Sequence, residues 1–421
     1  MRQKFAQQQR LEAVWLSQRP LSDILAVLDR AGEEARVVGG AIRNTLFGDP
    51  PGDIDIATTA LPEEVINRVQ SAGFKAVPTG IEHGTITVVA DGQPFEITTL
   101  REDVETFGRR AKVAFGRDWK RDAERRDFTM NALSATRQGV IYDYVGGHAD
   151  IAARRVRFIG NAASRISEDY LRILRFFRFH AQYGKGAPDP EGVAACIAGR
   201  AGLEQLSRER IRMELLELLL ARHAVGSLAV MTESGLLDRL LGGVPLLASF
   251  SNMIKLELTL ELSPDCVRRL GALGVSVSED ADRLRERLRV SNAEYGRLTS
   301  MADRWWHISS AWDQQRAHVL LYRLGRERYL DRVLLAWSHS SESAADERWF
   351  SLATLPEHWM IPTFPLRAAD FISRGLAKGP QLGRALATAE EAWTASGFPV
   401  DSRSLATIAD RATAMTRAQN G

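Results

Sequence analysis

Three acidic residues stand in surroundings that alternate like β-strands. In GDIDIAT, Asp53 and Asp55 are two positions apart, so an extended chain puts both carboxylates on one face and Ile54 and Ile56 on the other. Two neighbouring carboxylates repel each other, and the arrangement is costly unless cations neutralise it. Oxygen-rich sites beside phosphate are where Mg²⁺ binds, keeping several waters and needing few protein ligands. Two such ions can activate an attacking hydroxyl and steady a leaving pyrophosphate in an in-line displacement. In PFEITTL, alternation places Glu96 with Thr98, while Phe95 and Ile97 turn the other way. On a neighbouring strand facing the same side, Glu96 would complete a three-acid metal site. Taken singly, the acid pair and Glu96 are each better explained as decoration of an exposed strand.

Basic and small residues in other segments suit an anionic, multidentate ligand. Gly39 and Gly40 fall between a strand and a helix, where a glycine pair permits close backbone approach to phosphate and the helix start supplies N–H donors. Arg43, on the first turn, could reach the same anion; a lone glycine pair is also an ordinary tight turn. In RRDFTMNAL, Arg126 could hold phosphate and Asp127 could accept a sugar hydroxyl, ahead of an expected apolar helix. The alternative for Asp127 is a helix cap. In SEDYLRILR, Glu168, Asp169 and Arg172 are expected to open a helix. There Asp169 and Arg172, at i and i+3, would form a donor–acceptor edge able to pair with a nucleobase, or a plain surface ion pair. Arg175 follows one turn later on that face, in reach of phosphate.

The elements that would position these groups are readable in outline. Residues 21–33 carry helical spacing, RVVGG reads as a short buried strand entering a turn, and AIRNTLFG is a helix closed by Gly48. DIDIATT reads as a strand, Pro62 with Glu63 and Glu64 starts a helix, and HGTITVVADGQPFEITTL reads as a hairpin turning at Asp91-Gly92. After Ala149 strand signals cease and helical segments follow to the end. The predicted class is therefore α+β, a mixed-sheet head followed by an all-helical remainder. The expected divisions are 1–150, 151–225 and 226–421. Trp305 and Trp306 are expected in the core.

Bulk composition narrows the setting. The 421 residues suffice for two or more cores, and 45% apolar with 26% charged residues is ordinary for a globular chain. No apolar run is long enough to span a bilayer, and the N-terminus has no signal-like core. The two cysteines, Cys196 and Cys266, exclude a disulfide framework and favour a reducing compartment, so a cytoplasmic location is expected. The net charge of +2 is uninformative, whereas Arg101–Arg126 holds nine basic against six acidic residues.

In this order the segments VGGAIRNTLFG, GDIDIAT, FEITTLRED, RRDFTMNAL, DYVGGHADI and SEDYLRILRFFRF resemble the class II CCA-adding enzymes, within the tRNA nucleotidyltransferase and bacterial poly(A) polymerase family. The resemblance is dense over roughly residues 35–185. It implies a palm-like head, then a helical neck, body and tail, the last two binding RNA. It implies Mg²⁺ on Asp53 and Asp55 with Glu96 as a further acid. Gly39, Gly40 and Arg43 would line the triphosphate site; Arg126 and Asp127 would touch phosphate and ribose. Asp169 and Arg172 would select CTP or ATP without a template, and the stretch from Arg101 to Arg125 would be the loop that switches between them. The implied partners are a tRNA 3′ end, CTP and ATP, with no membrane. No His-Asp dipeptide occurs, so no appended metal phosphohydrolase domain is expected. One departure stands out: Asn44 occupies the place of the usual aspartate after Arg43. Poly(A) addition, addition of only C or only A, and an inactive RNA-binding scaffold are the competing readings; an intact acid pair argues against the last.

Overall fold

The structure, a computed structural model, describes residues 9–107 and 110–418, with side chains of 102–113 excepted. The chain divides into two compact units, Met1–Gly242 with Arg287–Arg289, and Gly243–Glu286 with Val290–Gly421.

The first unit is built on a seven-stranded mixed sheet of order β3-β4-β5-β2-β1-β8-β9, with β1 Ala35–Val38, β2 Asp55–Thr58, β3 Lys75–Gly80, β4 Thr85–Ala90, β5 Gln93–Thr99, β8 Ser134–Ala135 and β9 Ile141–Tyr142. β6 (Arg101–Phe107) and β7 (Arg110–Phe115) form a separate two-stranded hairpin. Here β2 pairs antiparallel with β1 and parallel with β5, so the centre of the sheet joins segments distant in sequence. Helix α1 (Gly40–Phe47) follows β1 directly and is closed by Gly48 in the left-handed region at φ 81°. The expected turn at Asp91-Gly92 is present, with φ of 50° and 77°. Helices α2 (Pro62–Ser71) and α3 (Trp119–Glu124) flank the sheet sequence, and α4 (Ala162–Glu168), α5 (Leu171–Tyr183) and α6 (Arg208–Leu220) succeed it. As the patterning indicated, no strand follows Tyr142 among the described residues.

The second unit is built of helices, with no strand among its described residues. Its longest helix, Gln314–His339, breaks at Gly325, whose φ of 74° and ψ of 170° admit glycine far more readily than other residues. A buried ion network ties its helices: Glu257 accepts from Arg268 and Arg269, and Asp331 accepts from Arg268 and Arg297. Phe371 and Trp393 anchor a further core with the helices Pro380–Ala395 and Ser402–Ala418.

Several expectations are corrected. The helix expected over 21–33 ends at Leu28, because Ala31 and Gly32 both turn into positive φ. β2 begins at Asp55 rather than Asp53: its antiparallel partner β1 ends at Val38, opposite Asp55, and then turns at Gly39, so the chain ahead of Asp55 has no partner on that side. RRDFTMNAL enters no apolar helix. Phe128 is extended and bridges Phe158, Thr129–Asn131 form one 3₁₀ turn, and Ser134 is already in β8 beside β1. Trp306 is 53% exposed, and Trp305 is half-buried, its indole N–H donating to the Ser276 carbonyl.

Candidate active site

Asp55 and Glu96 are neighbours by strand pairing. The parallel register sets Asp55 against Glu96, while the next residues of each strand, Ile56 and Ile97, are wholly buried beneath them. Buried isoleucines on one face thus hold both acids on the other. Asp53 is exposed in the loop just ahead of β2. The Asp55 carboxyl is pushed above its ordinary range, first by burial, then by the negative charges of Glu96 and Asp53, with Arg126 opposing. Among the described residues no three such side chains are already gathered in coordinating geometry. Even so, an oxygen-only donor set that repels itself fits a hard divalent cation.

Opposite the acids lies the turn after β1. Gly39 has φ 71° and ψ −117°, and a Cβ there would stand 3.3 Å from Arg126 Nη1 and 3.5 Å from the Asn131 carbonyl oxygen. The positive φ favours glycine there, and a Cβ would crowd the Arg126 guanidinium. Arg43 is 8% exposed. Its Nη1 donates to Asn131 Oδ1 at 2.6 Å, its Nη2 to Asn44 Oδ1 at 2.9 Å and to Tyr183 Oη at 2.8 Å. Phe179 and Tyr183 lie under the guanidinium at 5.1 and 4.3 Å.

A second set of contacts reaches the same place from α3 and α5. Buried Asp122 draws in Arg125 at 2.6 Å and Arg126 at 3.2 Å. Asp127 accepts from the Phe128 N–H, from Asn131 Nδ2 at 3.0 Å, and from Arg175 through Nε at 2.8 Å and Nη2 at 2.6 Å. Burial raises the Asp127 carboxyl, but Arg175 and these hydrogen bonds outweigh it and hold it below the usual range. Arg175 also reaches Glu214 on α6. Arg175 is therefore committed to two carboxylates, and Asp127 to a side-chain network rather than to a helix cap.

Asp169 and Arg172 do not pair with each other. Asp169 lies between helices, at φ −155° and ψ 107°, so α5 starts after it. It accepts from the Leu171 N–H, and Arg210 of α6 donates to its other oxygen at 2.6 Å. Arg172 is in the first turn of α5, tied to Glu168 and to the Arg165 carbonyl. Each is fixed by a different partner, which makes a rigid edge without a direct ion pair.

These groups wall two adjoining clefts. One, of about 350 Å³, is lined by Gly39, Gly40, Arg43, Asp127, Arg172 and Arg175 among others. The second, of about 320 Å³, holds Glu96, Thr85 and Arg101. Asp55, Arg125 and Arg126 line both. Sequence reading passed over Asn131, Asp122, Tyr183, Glu214 and Arg210. Asp122 was findable from its i+3 and i+4 spacing to Arg125 and Arg126; the others are joined to the site only by folding. Within the stretch from Arg101 to Arg125, the expected switching loop, the side chains of 102–113 lie outside the described residues.

Relatives match along nearly the whole chain. The mouse mitochondrial CCA tRNA nucleotidyltransferase 1 is 33% identical over 394 residues, covering 90% of this chain and 87% of the relative. The chain belongs to the class II CCA-adding family. A CCA-adding enzyme of Limosilactobacillus fermentum is 31% identical over 371 residues, covering 88% of this chain and 90% of that one. Residues 35–157 match the family described as the poly(A) polymerase head domain, and 187–251 that described as the probable RNA and SrmB binding site of polymerase A. The Bacillus stearothermophilus CCA-adding enzyme, solved in complex with CTP, superposes with a TM-score of 0.75 at 28% identity over 95% of this chain and 98% of that one. The Thermotoga maritima enzyme shares the fold at a TM-score of 0.67 and 17% identity.

Proposed function

We propose that this protein adds CCA to tRNA 3′ ends from CTP and ATP without a nucleic-acid template. The observation that carries this reading is the meeting of the two clefts at Asp55, beside Glu96 and within one wall of basic side chains. Divalent cations, Mg²⁺ in our reading, would be held by Asp53 and Asp55 and would neutralise the phosphoryl charge and acidify the attacking hydroxyl. Arg43 and Arg126 take the triphosphate where Gly39 and Gly40 leave room for it. Asp127 faces the ribose, and Asp169 with Arg172 presents the edge that reads the base. The RNA 3′ oxygen attacks the α-phosphorus and the bond to the β-phosphate breaks, releasing pyrophosphate. Glu96, held by β5 beside Asp55, takes the hydroxyl proton. Arg175 acts through Asp127 as a positioning group. We assign the head to 1–150, the nucleotide-selecting neck to 151–225 and the RNA-binding body and tail to 226–421. Among the described residues no helix is long and apolar enough to cross a membrane; both cysteines are free thiols, and we propose the cytoplasm as the compartment.

The test is a tRNA transcript lacking CCA, incubated with Mg²⁺ and with CTP and ATP singly or together. Growth by three nucleotides with both is expected; long tails from ATP alone would make the enzyme a poly(A) polymerase. Asp169→Ala and Arg172→Ala are each expected to lower the CTP-over-GTP preference, measured as kcat/KM, by about tenfold or more, the value of one lost polar contact to a base. If discrimination survives both changes, the base-edge assignment fails.

A further inference from the structure

Among the described residues, the buried cation of the nucleotide cleft has no carboxylate in hydrogen-bond contact. Among the described residues, Arg43 hydrogen-bonds only to neutral oxygens: Asn131 Oδ1, Asn44 Oδ1 and Tyr183 Oη. Asp127, the acid nearest in this network, is already engaged by two nitrogens of Arg175, Nε and Nη2. A guanidinium that is 8% exposed in a cleft, with Asp127 acting on it only from a distance, is a standing cost to the folded protein. Burial also pushes its basicity down, consistent with that cost.

Asn44 is central to this arrangement. Three donors, Arg43 Nε, Arg43 Nη2 and Tyr183 Oη, converge on one of its amide atoms, which fixes that atom as the oxygen. Its Nδ2 donates to the Pro51 carbonyl at 3.2 Å, in the loop that leads to Asp53. Tyr183 stacks on Phe47 of α1 at 5.2 Å, so its hydroxyl is held beside the amide. The side chain therefore grips Arg43 as a carboxylate would, by Nε and Nη2 together, while adding no charge.

We infer that Asn44 is a positioning residue that holds Arg43 without neutralising it, leaving the nucleotide's triphosphate as the anion that completes the cleft. This rests on the triphosphate reading of that cleft. In effect, the charge that would stabilise the empty protein is reserved for the ligand. Asn44→Asp exchanges one amide nitrogen for oxygen and supplies the missing carboxylate 2.9–3.2 Å from the guanidinium.

The experiment is calorimetric titration of inorganic tripolyphosphate into wild-type, N44D and N44A protein in magnesium-free buffer, with thermal melts of the unliganded proteins. N44D is expected to weaken tripolyphosphate about tenfold, the equivalent of about 1.4 kcal/mol, with a Tm no lower than wild type. Both variants lose the Pro51 bond; N44A also loses the contacts to Arg43 and Tyr183 but gains no charge, and is expected to weaken tripolyphosphate less than N44D. An N44D affinity within twofold of wild type, equal losses in both variants, or a lowered N44D Tm would each overturn the inference. Absence of wild-type binding would overturn the triphosphate reading itself.

Discussion

Asp55→Asn is expected to lower the rate of nucleotidyl transfer by about three orders of magnitude or more while changing tRNA affinity by less than about threefold. The substitution keeps the size and hydrogen-bonding span of the side chain, so the pairing of β2 with β1 and β5 has no reason to change. What disappears is one negative charge from a wall whose acids destabilise one another when nothing neutralises them. A cation binds there because that repulsion is relieved on binding, and an amide offers a weaker oxygen and no charge. Several kcal/mol of transition-state stabilisation depend on it, which sets the size of the loss. Asp53→Asn is expected to act in the same direction. Single-turnover transfer from α-labelled ATP to a tRNA ending in CC gives the rate, and fluorescence anisotropy gives the tRNA affinity. Turnover within tenfold of wild type in either variant would remove these residues from the chemistry.

Arg175→Ala should be the most damaging change among the basic residues of the cleft, and through stability first. Two carboxylates, Asp127 and Glu214, are 11% and 4% exposed at their side chains and share this one guanidinium. Removing it leaves Asp127 without an ionic partner and Glu214 with Arg178 alone. Breaking a buried pair costs about 3–5 kcal/mol, and the 31% exposure of Arg175 argues for the lower end, about 3 kcal/mol. For a unit of this size that corresponds to a Tm lower by about 6–12 °C. The damage should travel further, because Asp127 holds Asn131 and Asn131 holds Arg43. The KM for both nucleotides is therefore expected to rise together, and Arg175→Lys, which restores charge but not the two-nitrogen fork, should recover stability more than KM. A melting temperature within 2 °C of wild type would contradict this account.

The parts legible in the sequence were those governed by neighbours along the chain. Alternation put Glu96 opposite its buried partners Phe95 and Ile97, and the glycine pair after a buried run marked the turn that Arg126 approaches. Asp55 was placed correctly on its strand, but Asp53 was not, because β2 stops where β1 stops, and that end is set by the turn at Gly39. The same limit applies to Arg175. Helical spacing placed it beside Arg172, yet its role depends on Asp127, 48 residues earlier, and on Glu214, 39 later. Tyr183 carried no signal at all: at the end of α5 it is one more aromatic in an apolar helix until α1 packs against it.

The wall shared by the two clefts also limits how such a protein can diverge. Asp55, Arg125 and Arg126 border both spaces, so a substitution that improves the fit on one side alters the charge and shape on the other. Those three positions cannot change for one cleft alone. Arg172 borders only one cleft, and Thr85 and Arg101 only the other. Substitutions at the far ends therefore reshape one cleft while the lining of the other remains unchanged.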